Sequence, residues 1–419
     1  MPDFLERHRI RITPLTPVHV GSGERLEPYE YLFQRGEVWV FDPLRLLETI
    51  KGPALDRYLS ALERGPFAAR AALLEIARLT GLRPAVAWRA PAASGFAGYL
   101  EETIEKGRGE LAIQVFPRAL SGPYLPGSSL KGALRTVFLF DRSRVALEAD
   151  FDDRELEWAG RRDLVWQAQG RGLWPGRWVL EEGEGRVRAP LSLRRPKRWE
   201  KRDAHRVNVR FEGHLLKNPP RKKGDADILR DPLRTLAASD SSPLPATEFR
   251  LVEVYGSKQN PEGSTGIRLL AETWSKGAVE AEIRFYRGLQ EHPASLFGRG
   301  GGERPPMPGL EDIAAAAYER YVLLAEAELD LYEARGWALA REKMESVLEA
   351  IGECLAEDGT LKKPYRFPLR LGFGSGEKSV RLAEFLEYRG SRGGLRIDPV
   401  SRKLAEGEPM GWVMVEVIG

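Results

Sequence analysis

The chain has 419 residues, 42% hydrophobic and 30% charged, which is enough for two domains with separate cores. Its 64 Lys and Arg residues face 61 Asp and Glu, and the net charge of +3 excludes a polycation that grips nucleic acid with its whole surface; any such contact must come from charge concentrated locally. The single cysteine, Cys354, excludes a disulfide framework and any multi-cysteine zinc site, and its helical setting predicts an inert thiol.

In chain order, residues 8–20 read as a first strand, with Ile10 and Ile12 alternating against Arg9 and Arg11, and it ends in Leu15-Thr-Pro-Val-His-Val-Gly-Ser-Gly23. Tyr29–Phe33 and Val38–Phe41 form a hairpin that turns at Arg35-Gly36. Asp42-Pro43 opens a helix, with aspartate as cap and proline in its first turn. Further helices are expected over 54–64 and 67–80, and a strand near 112–115 inside an otherwise irregular stretch, 81–122. A polar segment at 238–242 precedes strands at 246–256 and 278–288. Helices at 310–333, 336–356 and 380–389 and a closing strand at 412–418 complete the pattern. No apolar run is long enough to cross a membrane and the first residues carry no signal core, so a cytoplasmic protein without membrane contact is expected.

The most informative stretch is Pro123-Tyr-Leu-Pro-Gly-Ser-Ser-Leu-Lys-Gly-Ala-Leu-Arg135. Two prolines hold the approach extended, Gly127 permits a turn, and Ser128 or Ser129 is a good cap for a helix over 128–140. Lys131 and Arg135 lie together near its start, where the helix is already positive; an anion such as a phosphate would reconcile them, whereas a capped core helix with solvated cations is the plain alternative. A nucleotide-hydrolase loop is ruled out, because Ser128-Ser129 stands where Lys-Ser/Thr is required.

Residues 186–234 are the most basic part of the chain, with a strand at 207–211 inside them, and point to nucleic-acid contact. Gly372-Phe-Gly-Ser-Gly376 follows a strand, as Gly21-Ser-Gly23 does; such a loop can lay bare N–H groups on a phosphodiester while Phe373 stacks on a base, or it can simply bend the chain. His19 has no second histidine or acid at ligand spacing and reads as a satisfied strand-end residue. No catalytic triad, metal signature or cofactor motif stands out.

Taken together and in order, the Leu15–Gly23, Pro123–Arg135 and Pro368-Leu-Arg-Leu-Gly-Phe-Gly-Ser-Gly376 segments resemble the RAMP superfamily of CRISPR RNA-binding proteins. Within it the chain is similar to the fifth-numbered Csm subunits of type III-A effector complexes, whose further motif is matched by Asp231-Pro-Leu-Arg234 with Ala238-Ser-Asp-Ser241. The resemblance implies an α+β fold of two RRM-like (ferredoxin-like) RAMP domains with helical insertions, divided here as 1–243 and 244–419. It implies a non-catalytic subunit that caps the backbone at the 3′ end of the CRISPR RNA and is needed for maturation of that RNA. Its partners would be the CRISPR RNA, an adjacent RAMP backbone subunit, the small subunit and a host trimming ribonuclease. Carried onto this chain, the RNA-contacting residues are Gly21, Ser22, Gly23, Ser128, Ser129, Lys131, Arg135, Gly372, Phe373, Gly374, Ser375 and Gly376, with Asp240 and Ser241 as weaker candidates. The related target-cutting subunit uses an aspartate after its first glycine turn; no aspartate lies between Gly23 and Asp42 here, so no target cleavage is expected. The competing functions are a metal-independent RNA-processing endoribonuclease with His19 as acid or base, and an assembly subunit without direct RNA contact.

Overall fold

The computed structural model describes residues 4–149, 156–158, 161–168, 176–182, 186–188, 231–256, 264–291, 307–374, 388–389, 395–396 and 401–419. Residues 142–149, and the strands within 156–188 and 388–396, are described through their backbone. The strand expected at 207–211, most of the basic segment, Ser375, Gly376 and residues 380–387 of the helix expected over 380–389 lie outside the described residues, while the last two positions of that helix, Tyr388–Arg389, form a strand.

Strand β1 (Glu6–Pro14) buries Ile10 and Ile12 and turns Arg7, Arg9 and Arg11 outward, as alternation requires. After the two-residue β2 (Arg25–Leu26) comes the hairpin of β3 (Tyr31–Gln34) and β4 (Glu37–Phe41), whose turn residues Arg35 and Gly36 both have positive φ, 54° and 78°. The Asp42 carboxylate accepts from Arg45 N at 2.9 Å and starts α1 (Pro43–Thr49), which α2 (Pro53–Glu63) and α3 (Pro66–Thr80) follow. Strand β5 (Val86–Pro91) completes the hairpin sheet, and α4 (Ser94–Lys106) leads to β6 (Ile113–Gln114). A short hairpin, β7 (Arg118–Ala119) and β8 (Gly122–Pro123), delivers the chain to α5 (Gly127–Ala149). Four antiparallel strands follow: β9 (Leu156–Trp158), β10 (Arg161–Ala168), β11 (Gly176–Glu182) and β12 (Arg186–Arg188). A single 3-10 turn at Pro232–Thr235 then opens β13 (Leu236–Ala238).

The rest of the chain comprises β14 (Glu248–Gly256), β15 (Ser264–Thr273), β16 (Val279–Phe285), α6 (Arg287–Glu291), α7 (Leu310–Arg335), α8 (Ala338–Gly352) and β17 (Arg366–Arg370). It closes with β18 (Tyr388–Arg389), β19 (Leu395–Arg396), β20 (Ser401–Ala405), β21 (Glu408–Pro409) and β22 (Trp412–Val417).

Five strands in the order β13-β16-β1-β22-β17 form the central sheet, antiparallel throughout. Along the chain, β1–α5–β13–β16–α7–β22 is the βαββαβ path of a ferredoxin-like unit, with β17 added at one edge. Helices α5 and α7 pack on each other against this sheet, where Leu134, Val137, Phe138 and Tyr321 share a core with Ile10 and Ile12. A second sheet, β2-β6-β15-β14-β20-β21, carries α4, whose Phe96 and Leu100 pack on Phe249 and Leu270. Helices α1–α3 form a smaller cluster of their own. The fold is the expected α+β arrangement with helical insertions. Both sheets draw strands from either side of residues 243–244, so a cut there severs two hydrogen-bonded sheets.

One buried carboxylate ties the sheets together. Glu328 on α7 is 2% exposed and meets Arg370 of β17, Arg402 of β20 at 3.2 Å and the Trp412 indole N–H of β22 at 3.3 Å. Burial pushes its pKa up, but the two guanidiniums outweigh that and hold the carboxyl below its usual range. Glu328→Gln leaves two buried guanidiniums without their counter-charge. It should lower the free energy of unfolding by about 3–5 kcal/mol in urea titrations.

Candidate nucleic-acid interface

The segment after β1 runs as an extended rope between the two sheets. Leu15 N and Thr16 N donate to Trp412 O, Gly411 N donates to Pro17 O, and Val18 pairs with Trp274 through both backbone bonds. At its end the first glycine turn meets the second. Phe373 N donates to His19 O at 2.7 Å, and a Cβ on Gly372 would lie 2.1 Å from that same oxygen. Gly372 also has φ of +77°, so only glycine fits on both counts. Gly21, Ser22 and Gly23 are exposed; Ser22 N and Oγ both donate to Val115 O, while Ser22 Oγ accepts from Glu24 N.

His19 lies beneath this turn, fully buried between the edges of Phe116 and Phe373. Burial lowers its pKa to about 4, against a smaller upward pull from the hydrogen bond to the Glu272 carbonyl. A general acid at neutral pH must give a proton to substrate; this ring is neutral, and its one proton is held on Nδ1 by the Glu272 carbonyl. The Glu272 side chain, also fully buried, takes the Arg118 guanidinium, Thr247 Oγ1 at 2.6 Å and Phe116 N at 3.1 Å. Arg118 in turn lies over the Trp88 ring, 3.3 Å from its centroid.

The second cluster surrounds the start of α5. Gly127 N donates to Asp240 Oδ1 at 2.8 Å, and Leu125 N donates to Ser241 Oγ at 3.0 Å. A Cβ on Gly127 would fall 2.2 Å from Ala238 O, so this glycine is the price of seating the helix on the 238–241 segment. Asp231 caps the 3-10 turn through Leu233 N and pairs with Arg135 at 2.5 Å. Burial lowers the Lys131 pKa, Asp231 raises it, and Arg135 and Arg234 lower it again. Lys131, Arg135 and Arg234 therefore lie together near Asp231, beside the exposed Ser128 and Gly132.

A model of the RAMP superfamily matches residues 11–287. The chain belongs to the RAMP superfamily. No curated protein matches it. Its fold is similar to that of a chain in a cryo-EM structure of a Csm–crRNA–target RNA ternary complex of a type III-A CRISPR-Cas system, with TM-score 0.64 and 21% identity over 98% of this chain and 100% of that one. It is similar also to a crystal structure of T. onnurineus Csm5, with TM-score 0.63 and 21% identity over 97% of this chain and 100% of that one.

In this RAMP chain the expected residues fall into two groups. Gly21–Gly23 and Gly372–Gly374 converge on His19; Ser128, Ser129, Lys131, Arg135, Asp240 and Ser241 surround the head of α5. The 115–125 segment links them, bonded to Ser22 at one end and Ser241 at the other. Besides Ser22, whose hydroxyl bonds Val115 O and Glu24 N, three side chains have intramolecular occupations. Asp240 supplies the anion at the helix start, Ser241 holds Leu125 N, and Arg135 pairs with Asp231. Phe373 carries the Lys403 ammonium 3.7 Å from its ring centroid, so a base stacking on that face must displace it. Lys403, Arg234, Arg118 and Glu272 went unnoticed in the sequence. Arg234 stood in a quoted motif, but a glutamate in a strand reads as solvent-facing and nothing local marks Glu272 as buried.

Gly372→Ala drives the two turns apart and should cost more than about 2 kcal/mol of stability in denaturant unfolding. His19 binds a proton near pH 6.5 when unfolded and only near pH 4 when folded, so the unfolded state takes up more protons between these values. Stability should be full above pH 6.5 and fall by about 3 kcal/mol as pH drops to 4. His19→Gln, which does not titrate, should lack that part of the slope.

Proposed function

We infer that the chain is a non-catalytic RNA-binding subunit of a type III-A CRISPR effector complex, a Csm subunit seated at the 3′ end of the CRISPR RNA and needed for its maturation. The observation that carries this reading is the meeting of two glycine turns, far apart in sequence, over His19, where Gly21–Gly23 form the exposed side and Gly372–Gly374 lie beneath. Backbone N–H groups without side chains can approach a sugar–phosphate chain closely. Lys131, flanked by the charges of Arg135 and Arg234, adds a cation at the head of α5. The likeness in fold to a chain of a Csm–crRNA–target RNA complex and to T. onnurineus Csm5 supports the same reading. The partners are then the CRISPR RNA, the neighbouring backbone RAMP subunit and the small subunit, with a separate host ribonuclease doing the trimming. The depressed pKa of His19 and the hold of the Glu272 carbonyl on its proton speak against its acting as a general acid.

The test is purification of the tagged chain from its host, with sequencing of the RNA and identification of the proteins that come with it. CRISPR RNAs with mature 3′ ends, together with longer RNAs when the chain is deleted, are expected. Sequence-specific cutting of precursor RNA by the pure chain, abolished in His19→Gln, would replace this reading with the endoribonuclease. Lys131→Ala should weaken single-stranded RNA binding and lower the log–log salt slope by about 0.7, with its unfolding midpoint unchanged. Arg135→Ala should also lower the midpoint, because it strips Asp231 of its partner.

A further inference from the structure

His19 is a polar side chain that the fold encloses and only half satisfies. Its Nδ1 lies 2.6 Å from the Glu272 carbonyl oxygen. A carbonyl only accepts, so Nδ1 carries the proton and Nε2 presents a bare lone pair. Nε2 is buried and has no hydrogen-bond partner among the described residues. Leaving a buried acceptor unpaired costs stability that could be recovered by packing an apolar ring at the same place.

What lies over that lone pair is the exposed turn. A Cβ on Gly21 would come 3.4 Å from Nε2, the nearest approach made there. Two residues on, Gly23 has φ of +88° and open space around its Cβ position. Phe373 forms one wall, 5.9 Å from the His19 ring, and the Lys403 ammonium rests on that same phenyl group. Lys403 is partly buried, with its pKa lowered by desolvation, and no carboxylate pairs with it among the described residues. Below neutral pH's reach of protonation, His19 stays an acceptor, since its pKa is held to about 4.

An acceptor lacking a donor and a cation lacking an anion thus both pack against the Phe373 ring. A phosphate oxygen carries no proton at neutral pH and can satisfy only the lysine. Nε2 needs an O–H or N–H donor, and the donor that a ribonucleotide carries beside its phosphate, whatever its base, is the 2′-hydroxyl. We propose that His19 Nε2 accepts a hydrogen bond from a ribose 2′-hydroxyl while Lys403 takes an adjacent phosphate, making the Gly21–Gly23 turn the place where this chain tells RNA from DNA. The proposal rests on the RNA-binding reading above and names the chemical group that its glycine turn recognises.

The experiment uses the purified full chain and three uridine oligonucleotides of equal length: RNA, 2′-fluoro-RNA and 2′-deoxy. The 2′-fluoro form keeps the RNA-like sugar but has no O–H to donate. Anisotropy titrations at one salt concentration should give RNA an affinity roughly 3- to 10-fold above both others, the worth of one hydrogen bond. His19→Phe should bring the ratio close to one. His19→Gln should keep it, since its amide can donate to the Glu272 carbonyl and offer an oxygen where Nε2 stood. Lys403→Ala should weaken all three alike. Equal binding of RNA and 2′-fluoro-RNA by the wild type, or a ratio untouched in His19→Phe, overturns the proposal. Binding to none of the three overturns the RNA reading itself. Should His19→Phe fail to fold, the ¹⁵N resonance of His19 Nε2 in the wild type decides: it must move with RNA and stay put with 2′-fluoro-RNA.

Discussion

The hydrogen bond from Phe373 N to His19 O is the contact on which the interface depends. Two segments some 350 residues apart approach until backbone touches backbone, and Gly372 is the only residue type that its φ and the nearby carbonyl allow. Side chains do not bring the turns together; the sheet does. Because β1 is paired with β22 and β17 lies beyond β22, the exits of β1 and β17 emerge at one place. Glu272 supplies the other wall. Its buried carboxylate gathers Arg118, Thr247 and Phe116 N, and so fixes the 115–118 segment that leads on to the head of α5.

Electrostatics divide the two clusters. At α5 the positive end of the helix already has its anion in Asp240, so an incoming phosphate has no claim on the Gly127 N–H. What remains there is the field of Lys131, with the charges of Arg135, Arg234 and Asp231 around it. Such a field steers and holds a polyanion without reading its sequence. At His19 the charge is neutral and the chemistry is that of a single acceptor. The first cluster favours any anion, and the second asks for a particular group.

Much of the architecture was legible. The β3–β4 hairpin, the Asp42 cap, α2, α3, α7, α8 and β22 all carry local signals, and each lies within a few residues of its expected place. The misses have a common cause: their determinants are distant. Helix α4 begins after Ala93, which has no side chain to cap it; the cap is Glu406, accepting from Phe96 N at 2.9 Å across the fold. Strand β15 went unseen because Leu270, Ala271, Glu272 and Thr273 are all fully buried, so polarity does not alternate along it. The same holds for the site. Motifs marked both glycine turns and the α5 head. That Asp240 would cap the helix, that Arg135 would be held by Asp231, and that Lys403 would cover Phe373 are facts of tertiary contact, with no trace in spacing.

The position of β1 bears on how the molecule comes into being. One of its two neighbours is β22, about 400 residues further along the chain. On the ribosome, β1 must wait for the synthesis of those residues before that flank is covered. Contacts of such long sequence separation form slowly, and an unpaired strand edge invites other chains in the interval. The arginines at positions 7, 9 and 11, projecting at every second residue, are the kind of charge that discourages such mispairing. The glycine-lined rim thus assembles only once β22 has been made, and a ribosome that stalls short of β22 releases a chain with no rim at all.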